Sequence, residues 1–442
     1  MPNLCATTTG SEAGIYPTPI PFPLINASLH LTWPGGPLRG TAHLPASKSE
    51  ANRALILQAL AGGGTLGNLS DANDTQLMMR LLAAAPGTAA LSAEDAGTVM
   101  RFLTAYLAVT NWRGRLTGTA RAHERPIAVL VDALRQAGAR IEYLSHDGYP
   151  PLEITGFATL PETTKPTALA VRGDISSQYI SALLMVGPRL PGGLHLELTG
   201  PIGSRPYIDM TVALMRLFGA SCTADGNTLR VEPGPYQPTD YVVESDWSAA
   251  SYWYSLVALA PAGSEIALPG LRRESLQGDQ EIAAMMTHFG VVTTFGADGV
   301  HLRQQPAARG PKFRTLDFTD CPDLAQTVAV VAAALGQPVE MTGLESLRIK
   351  ETDRIAALQT ELAKFGGDLR DLGAGRFRAE STGFAVAGQS VATYHDHRMA
   401  MAFAPLALRG PLAIETPAVV KKSYPQFWKE LGQRGFVVSE AG

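Results

Sequence analysis

The hydrophobic pattern of the chain repeats one unit, in which an amphipathic helix pattern ends at a glycine and is followed by alternating strand patterns. Five such helix patterns end at Gly138, Gly219, Gly290, Gly366 and Gly435. Because glycine readily adopts the left-handed conformation of a helix C-cap, each of these glycines is predicted to end a helix. A shortened sixth copy is predicted at residues 76–91. Six units of this kind would fill the chain and indicate an α/β fold made of small subdomains.

A second set of helix patterns is apolar on nearly every side, which is typical of helices buried in a core. The first half of the chain has three, at residues 53–60, 100–107 and 179–185, and the second half has two, at 324–335 and 399–408. Each follows a short polar segment. The polar segments that begin these helices are therefore the first candidates for chemistry.

Several of these helix starts carry cations. Lys48 and Arg53 begin one buried pattern and Arg398 begins another, while Lys350 and Arg354 lie four residues apart where a further helix pattern starts. A helix N-terminus attracts anions and disfavours cations, so a bound anion would explain the cations best. Each motif alone is equally well explained by exposed charges of a first helical turn. Their number in one chain favours an anionic substrate.

Uncharged donors and two carboxylates accompany the cations. Ser176, Ser177 and Gln178 suit the oxygens of a phosphate or polyol, although a serine there also fits a simple N-cap. Asp323 follows a proline and, taken alone, is better explained as a first-turn acid that complements the helix dipole. Glu351 could form a plain ion pair within its helix. Position alone assigns neither carboxylate as catalytic.

Composition narrows the class of protein. A chain of 442 residues with 45% hydrophobic residues suggests two or three domains, and a net charge of −4 argues against nucleic-acid and anionic-membrane partners.

Apolar stretches stop short of the roughly 20 residues of a membrane helix, and residues 1–24 resemble no signal or transit peptide, so a flexible tail and a cytoplasmic location are expected. Cys5, Cys222 and Cys321 are widely spaced and are expected to be reduced and structural.

Eight motifs, in order, resemble those of the 5-enolpyruvylshikimate-3-phosphate synthases over about residues 37–427. They are LPASKSEANRALILQAL, ERPI, ISSQYISALLM, SRPYIDMT, CPDLAQTVAV, LRIKETDRIAAL, YHDHRMAMAF and KKSYPQFW. The resemblance implies a two-lobed enolpyruvyl-transferase fold, in which each lobe has three βαβαββ units around buried parallel helices. It places the first lobe at 46–244 and the second at 1–45 plus 245–442, with crossovers near Pro45 and Glu244.

The resemblance also implies an activity, the transfer of the enolpyruvyl group of phosphoenolpyruvate to the 5-hydroxyl of shikimate 3-phosphate by addition and elimination. No cofactor, metal, nucleic-acid partner or membrane partner is expected, and the protein is expected to be a monomer. By the matched motifs, shikimate 3-phosphate would contact Lys48, Ser49, Arg53, Ser176, Ser177, Gln178, Ser204, Asp323 and Lys350. Phosphoenolpyruvate would contact Lys48, Gly97, Arg125, Arg354, Arg398 and Lys422. Asp323 would be the base for the hydroxyl, and Glu351, with Lys48 or Lys422, would handle the proton at the methylene carbon. The first lobe would thus grip shikimate 3-phosphate, and the second would supply the catalytic carboxylates and most phosphoenolpyruvate cations.

Some positions depart from the family pattern. Asp95 and Ser346 stand where the family has asparagine, Phe102 where it has proline, and the segment 82–94 is short. Because two of these changes flank Gly97, weakened inhibition by the phosphoenolpyruvate analogue glyphosate is predicted. One alternative is UDP-N-acetylglucosamine enolpyruvyl transferase, opposed by Ser49 and by the lack of a matching loop cysteine. The other is a catalytically inactive relative that only binds anions, although none of the expected charged residues is missing.

Overall fold

The computed structural model describes residues 28–157, 165–174, 176–306 and 314–440. Residues 1–24 and Cys5, on which the prediction of a flexible tail and of one reduced cysteine rests, lie outside these ranges. The helices are α1 (Lys48–Ala61), α2 (Asn73–Ala84), α3 (Gly97–Val109), α4 (Ala120–His123), α5 (Ala128–Gln136), α6 (Ser177–Val186), α7 (Arg205–Leu217), α8 (Trp247–Leu259), α9 (Ile282–Thr287), α10 (Ala325–Leu335), α11 (Arg354–Ala363), α12 (His397–Phe403) and α13 (Phe427–Gln433).

The strands are short and are distributed along the whole described chain. They are β1 (Ser28–Thr32), β2 (Arg39–Thr41), β3 (Leu66–Gly67), β4 (Ala90–Ser92), β5 (Gly114–Thr117), β6 (Ala139–Tyr143), β7 (Leu152–Phe157), β8 (Thr167–Arg172), β9 (Leu194–Thr199), β10 (Cys222–Asp225), β11 (Thr228–Val231), β12 (Tyr241–Val242), β13 (Glu265–Pro269), β14 (Val291–Phe295), β15 (Gly299–Gln304), β16 (Arg314–Asp317), β17 (Val339–Thr342), β18 (Gly367–Gly373), β19 (Arg376–Ser381), β20 (Ser390–Val391), β21 (Leu412–Glu415) and β22 (Val437–Glu440).

A repeated unit organises these elements, as β8 to β11 illustrate. Strand β8 pairs in parallel with β9, with Thr167 opposite Leu194, and the buried helix α6 connects them. The amphipathic helix α7 follows, and the antiparallel hairpin β10–β11 adds to the other edge of β9. Two other four-stranded sheets, β4-β5-β7-β6 and β16-β17-β19-β18, have this arrangement. The sheets β2-β13-β15-β14 and β20-β21-β1-β22 have the same pattern of strand pairing, but β2 and β13 are far apart in sequence, and β1 and β22 come from opposite ends of the described chain. The predicted βαβαββ unit is therefore confirmed.

The shortened unit is the exception. Its sheet in the described chain has only two parallel strands, β3 and β12, which pair Leu66 with Tyr241. After α2 the chain passes through a single 3₁₀ turn, Ala85–Gly87, directly to β4 of the next unit. The short segment 82–94 leaves no room for the hairpin that completes the other units.

The five glycines predicted to end helices all adopt the left-handed conformation, with φ between +81° and +105° at Gly138, Gly219, Gly290, Gly366 and Gly435. At Gly219 a Cβ atom would also lie 2.8 Å from Cγ of Gln237. A larger residue there would incur both backbone strain and a clash, so the predicted helix ends are confirmed.

The buried helices form the interior, and one of them is an addition to the predicted set. Helix α8 is buried at every residue from Ala249 to Leu259 and is capped by Asp246, whose carboxylate accepts from the backbone N–H of Ala249 at 2.7 Å. No helix in the described ranges is both long and apolar enough to cross a membrane.

The apolar core divides into two large clusters. One contains buried residues between Leu55 and Tyr236, and the other contains residues 29–42 together with Trp247 and those that follow it to Phe436. Between them, the two passages of the chain from one cluster to the other run side by side, since Ala46 and Ser245 form an isolated antiparallel bridge.

Candidate active site

Arg354, the first residue of α11, is the centre of the polar network. Its side chain is 2% exposed and donates to three carboxylates. Nε lies 2.6 Å from Oδ2 of Asp396, Nη1 lies 2.9 Å from Oδ1 of Asp323, and Nη2 lies 2.9 Å from Oε2 of Glu351. One buried guanidinium thus fixes the relative positions of the two carboxylates that the motifs identified.

Asp323 is held by a second guanidinium. Nη2 of Arg398 lies 2.7 Å from Oδ2 of Asp323, and Nη1 lies 3.3 Å from its backbone oxygen. Burial alone would raise the pKa of Asp323, but the charges of Arg398, Lys350 and Arg354 outweigh burial and hold that pKa well below its usual range. Asp323 is therefore ionised at neutral pH.

Glu351 lies between two cations. Its Oε2 accepts from Arg354, and Nζ of Lys422 lies 3.2 Å from Oε1. Burial would raise the pKa of Glu351, whereas Lys422, Arg354, His397 and Arg125 lower it, and their charges prevail. Glu351 is therefore an ionised group paired with a lysine, although the sequence alone could not predict whether burial or the cations would set its pKa.

A second group of cations surrounds the start of α3. A Cβ atom on Gly97 would lie 2.6 Å from guanidinium nitrogens of both Arg101 and Arg125. Burial, followed by the charge of Arg101, lowers the pKa of Arg125, and within the described residues neither arginine forms an ion pair. Asp95 does not neutralise them, because its Oδ1 accepts from the Thr119 hydroxyl and only its backbone oxygen accepts from Arg125, at 3.3 Å. The pocket that Gly97, Arg101 and Arg125 line is therefore suited to an anion.

Arg53 is a further buried cation without an ion pair in the described chain. It is 2% exposed and donates to neutral oxygens only: the Thr211 hydroxyl at 2.8 Å, the Ser181 hydroxyl at 2.9 Å and backbone oxygens, including that of Ser49 at 2.8 Å. Its guanidinium carbon lies 5.3 Å from the ring centroid of the fully buried Phe102. Burial lowers the pKa of Arg53 to about 10. A buried charge of this kind is costly without an anionic partner.

The predicted serines lie at helix starts. Ser176 caps α6 and accepts from the backbone N–H of Gln178 at 3.4 Å, so the N-cap interpretation is correct for this residue. Gln178 in turn donates to the Thr98 hydroxyl at 3.1 Å, which brings the start of α6 beside that of α3. Ser204 precedes α7 with φ of +55°, and its N–H donates to the oxygen of Thr319 at 2.9 Å.

The two apolar clusters meet at this site. Arg121 and Tyr207 lie in the segment that contains the first cluster. Arg121 donates to the backbone oxygen of Glu351 at 3.4 Å, and the hydroxyl of Tyr207 lies 3.5 Å from Oδ2 of Asp323. Lys48 pairs with Asp74 at 3.1 Å, within α1 and α2. The structure thereby brings the predicted cations and carboxylates to one region.

Three residues at this site were not predicted. Asp396 caps α12 and accepts from Arg354, the Tyr207 hydroxyl donates to Asp323, and Asp279 lies close enough to Arg398 for that charge to lower its pKa. Asp396 and Tyr207 are inside the motifs YHDHRMAMAF and SRPYIDMT, so a signal was present. The segment around Asp279 showed none.

Comparison with known proteins gives consistent results. A family profile described as EPSP synthase (3-phosphoshikimate 1-carboxyvinyltransferase) matches residues 83–431. The chain is 48% identical over 410 residues to a 3-phosphoshikimate 1-carboxyvinyltransferase of Bacteroides fragilis, covering 90% of this chain and 96% of the relative. It is 39% identical over 423 residues to the protein of that name from Laribacter hongkongensis, covering 89% and 96%.

Solved structures have the same fold. An EPSP synthase from Acinetobacter baumannii superposes with a TM-score of 0.76 at 23% identity, covering 94% of this chain and all of that chain. The enolpyruvyl transferase NikO from Streptomyces tendae superposes with a TM-score of 0.70 at 16% identity and the same coverage. The predicted enolpyruvyl-transferase architecture is therefore confirmed.

Proposed function

The chain belongs to the EPSP synthase family, and from this premise we propose that it transfers the enolpyruvyl group of phosphoenolpyruvate to the 5-hydroxyl of shikimate 3-phosphate, with the network around Arg354 as its catalytic centre. The observation that carries the assignment of residues is the bridging of Asp323 and Glu351 by this one guanidinium. Addition followed by elimination needs one group at the attacking hydroxyl and another at the methylene carbon, at a fixed separation.

Phosphoenolpyruvate is bound between the two cation groups. Arg125 and the backbone at Gly97 provide one side, and Arg354, Arg398 and Lys422 provide the other. Several cations suit a ligand that carries both a carboxylate and a phosphate, and guanidinium groups can bind either through two parallel hydrogen bonds. Lys48, which pairs with Asp74, completes the set.

Shikimate 3-phosphate occupies the adjoining region. Its phosphate binds the hydroxyls of Ser176, Ser177 and Ser204 at the starts of α6 and α7, with Gln178 over the ring. Its carboxylate is assigned to Ser49 and Arg53, because Arg53 is a buried cation without an ion pair in the described residues and its guanidinium lies 2.8 Å from the backbone oxygen of Ser49. Its hydroxyls face Asp323 and Lys350.

In the addition step, Asp323 takes the proton of the 5-hydroxyl while the hydroxyl oxygen forms a bond to C2 of phosphoenolpyruvate. At the same time, C3 of phosphoenolpyruvate receives a proton. Lys422 and Glu351 act as one proton-transfer unit at C3, since Nζ and Oε1 are 3.2 Å apart. In the elimination step, the same unit removes a proton from C3, the bond from C2 to the phosphate oxygen breaks, and phosphate leaves with the proton held by Asp323. The cations stabilise charge on the leaving phosphate.

The low pKa of Asp323 affects this role. Before phosphoenolpyruvate binds, the positive charges of Arg398 and Arg354 keep the pKa of Asp323 low, so Asp323 is a weak base. An anionic donor bound to these guanidinium groups compensates their charge and raises the pKa of Asp323, so that its basicity increases when the reacting partner is present.

The lobes are proposed to be residues 46–244 and residues 1–45 plus 245–442, with crossovers near Pro45 and Glu244. The two separate apolar clusters and the bridge between Ala46 and Ser245 support these boundaries. A monomer in the cytoplasm is also proposed, because one chain supplies every site residue and phosphorylated substrates do not cross a membrane unaided. Light scattering tests the monomer, whose mass is 46.8 kDa.

Phosphate release tests the function. The purified protein is incubated with phosphoenolpyruvate and either shikimate 3-phosphate or UDP-N-acetylglucosamine. Release with shikimate 3-phosphate alone is expected. Release with only the nucleotide sugar, or binding of both shikimate-pathway ligands without release, would contradict the assignment and support one of the two alternatives, which the family comparisons do not favour.

A further inference from the structure

Asp279 is a buried carboxylate for which the proposed mechanism has no use. It lies in the 3₁₀ turn Gly278–Glu281 and is 4% exposed. Its Oδ2 accepts from the Ser248 hydroxyl, whereas its buried Oδ1 has no hydrogen-bond partner in the described chain. A carboxylate oxygen desolvated in this way is costly unless it carries a proton or meets a ligand.

A pocket between the two apolar clusters adjoins this carboxylate. Ser49 and Tyr207 line it from the proposed first lobe, and Ser248 and Asp279 line it from the proposed second lobe. The Ser248 hydroxyl is also 3.4 Å from Nη2 of Arg398. Since Ser49 accepts from Arg53 through its backbone, the pocket adjoins the region assigned to the substrate carboxylate.

Burial and the neighbouring carboxylates favour the protonated form of Asp279. Burial raises its pKa to about 7, with a further contribution from Asp323 at the start of α10; Asp246 at the start of α8 acts in the same direction. Arg398 of α12 and the hydrogen bond from Ser248 oppose the increase. The other titratable groups that face it are Tyr207 of α7 and Cys321, and both have pKa values above their usual range, with burial as the main cause, so they are neutral.

We infer that Asp279 is a substrate-binding residue that, in its protonated form, donates a hydrogen bond from Oδ1 to the carboxylate of shikimate 3-phosphate. The inference rests on the proposed function and adds one donor to it. Ser248 keeps the carboxyl group in place by bonding to the other oxygen. The ionised form of Asp279 would instead repel the substrate carboxylate at close range, so binding requires one proton on this residue.

The pH dependence of KM for shikimate 3-phosphate tests the inference, with Asp279→Asn as the matched variant because its amide donates at any pH. In the unaltered protein KM is expected to rise by up to tenfold per pH unit above about pH 7, while kcat changes less. In Asp279→Asn the ratio of KM at pH 8.5 to KM at pH 6.5 should be at least fivefold smaller. Ionisation of the substrate phosphate affects both proteins equally and therefore cancels.

Calorimetry in buffers of different ionisation enthalpy provides a second, direct readout. At pH 8 a group with a pKa of about 7 is about 90% ionised, so binding of shikimate 3-phosphate should take up about 0.9 proton in the unaltered protein beyond the uptake in Asp279→Asn. Should Asp279→Asn fail to fold, the inference is tested by the proton uptake and the pH profile of KM in the unaltered protein. A flat KM profile, equal proton uptake in both proteins, or Asp279→Ala binding as tightly as the unaltered protein at pH 6.5 would overturn the inference. None of these results affects the proposed function, which fails only if the unaltered protein releases no phosphate from phosphoenolpyruvate in the presence of shikimate 3-phosphate.

Discussion

At the scale of single residues, the site places carboxylates and guanidinium groups in contact at low exposure. Arg354 binds three carboxylates while remaining 2% exposed, whereas Arg53 binds no carboxylate of the described residues. A compensated cation stabilises the positions of catalytic groups, and an uncompensated buried cation provides affinity for an anion. Arg354 therefore fixes the positions of the carboxylates in addition to its proposed contact with phosphoenolpyruvate, whereas Arg53 is available to bind the carboxylate of shikimate 3-phosphate.

The first prediction concerns Asp323→Asn, which retains the size of the side chain and removes its basicity. It is expected to lower kcat by about 10³-fold with KM for shikimate 3-phosphate within fivefold, as general-base removal typically does. The neighbouring Asp320→Asn is the control, because the Asp320 carboxylate accepts from the backbone N–H of Arg205 at 3.1 Å and has no proposed part in the reaction. Steady-state kinetics measure both. Near-normal turnover by Asp323→Asn would exclude Asp323 as the base.

The second prediction concerns Arg125→Ala. Loss of a charged hydrogen-bond donor at the pocket beside Gly97 should raise KM for phosphoenolpyruvate about 10- to 100-fold, and KM for shikimate 3-phosphate less than threefold. Arg115→Ala, an exposed arginine on β5, serves as the control. Similar losses for both substrates would show that the grouping of the cations is incorrect.

At the scale of elements, the helix starts determine both stability and substrate access. Helix α3 begins at a glycine because its first turn packs against two arginine side chains. The start of α1 contains Glu50, whose Oε1 accepts from the Tyr241 hydroxyl and from the backbone N–H of Glu244 at 3.0 Å, which joins the two crossover segments.

The third prediction is made for Gly97→Ala. Its methyl group would lie 2.6 Å from Arg125 and Arg101 nitrogens, and these are the ends of flexible side chains, so the arginines move and the helix remains. The melting temperature should change by no more than a few degrees, while KM for phosphoenolpyruvate increases about tenfold or more. Thermal unfolding and kinetics on one preparation test this. A large loss of stability with unchanged KM would refute the assigned role of this turn.

The fourth prediction concerns Glu50→Gln and pH. Burial raises the pKa of Glu50 above 4.5, against the hydrogen bonds from Tyr241 and Glu244, which lower it. A raised folded-state pKa means that the stabilising contribution is complete below pH 4.5 and is lost as pH rises through the folded-state pKa. Glutamine resembles the protonated acid, so the variant should melt higher than the unaltered protein at pH 8 and nearly equally at pH 4.5. A melting-temperature difference independent of pH would contradict this account.

At the scale of the whole molecule, the site lies where the two apolar clusters face each other. Ser204 with Thr319 and Arg121 with Glu351 connect the clusters beside the site, and the adjacent crossovers connect them at Ala46 and Ser245. Cations lie on both walls, so bringing the walls together costs electrostatic repulsion unless an anion compensates it.

The fifth prediction is that shikimate 3-phosphate closes the two lobes by a hinge motion about the crossovers. It is assigned contacts on both sides, to Ser176, Ser177 and Ser204 on one and to Asp323 and Lys350 on the other. Small-angle scattering should show a smaller radius of gyration at saturating shikimate 3-phosphate, with shikimate lacking the phosphate as the control. An unchanged radius of gyration at saturation would reject the hinge motion.

The repeated unit, the helix ends at glycines such as Gly219 and the polar segments from which the site is built could all be predicted from the amino-acid sequence. These features follow from local periodicity and from backbone preferences, which act over a few neighbouring residues. The resemblance of eight motifs predicted the two-lobed fold and the reaction. Even the missing hairpin was indicated by the short segment 82–94.

The balance between burial and charge at each titratable group could not be predicted from the sequence, because it depends on the folded arrangement. Whether burial or the surrounding cations set the pKa of Glu351 depends on Lys422 and Arg125, which are distant in sequence. The same is true of Asp279, whose pKa is raised by burial and by Asp323 from a different unit. Desolvation and Coulomb interactions depend on distance in space, so no sequence pattern contains them before the chain has brought these residues together.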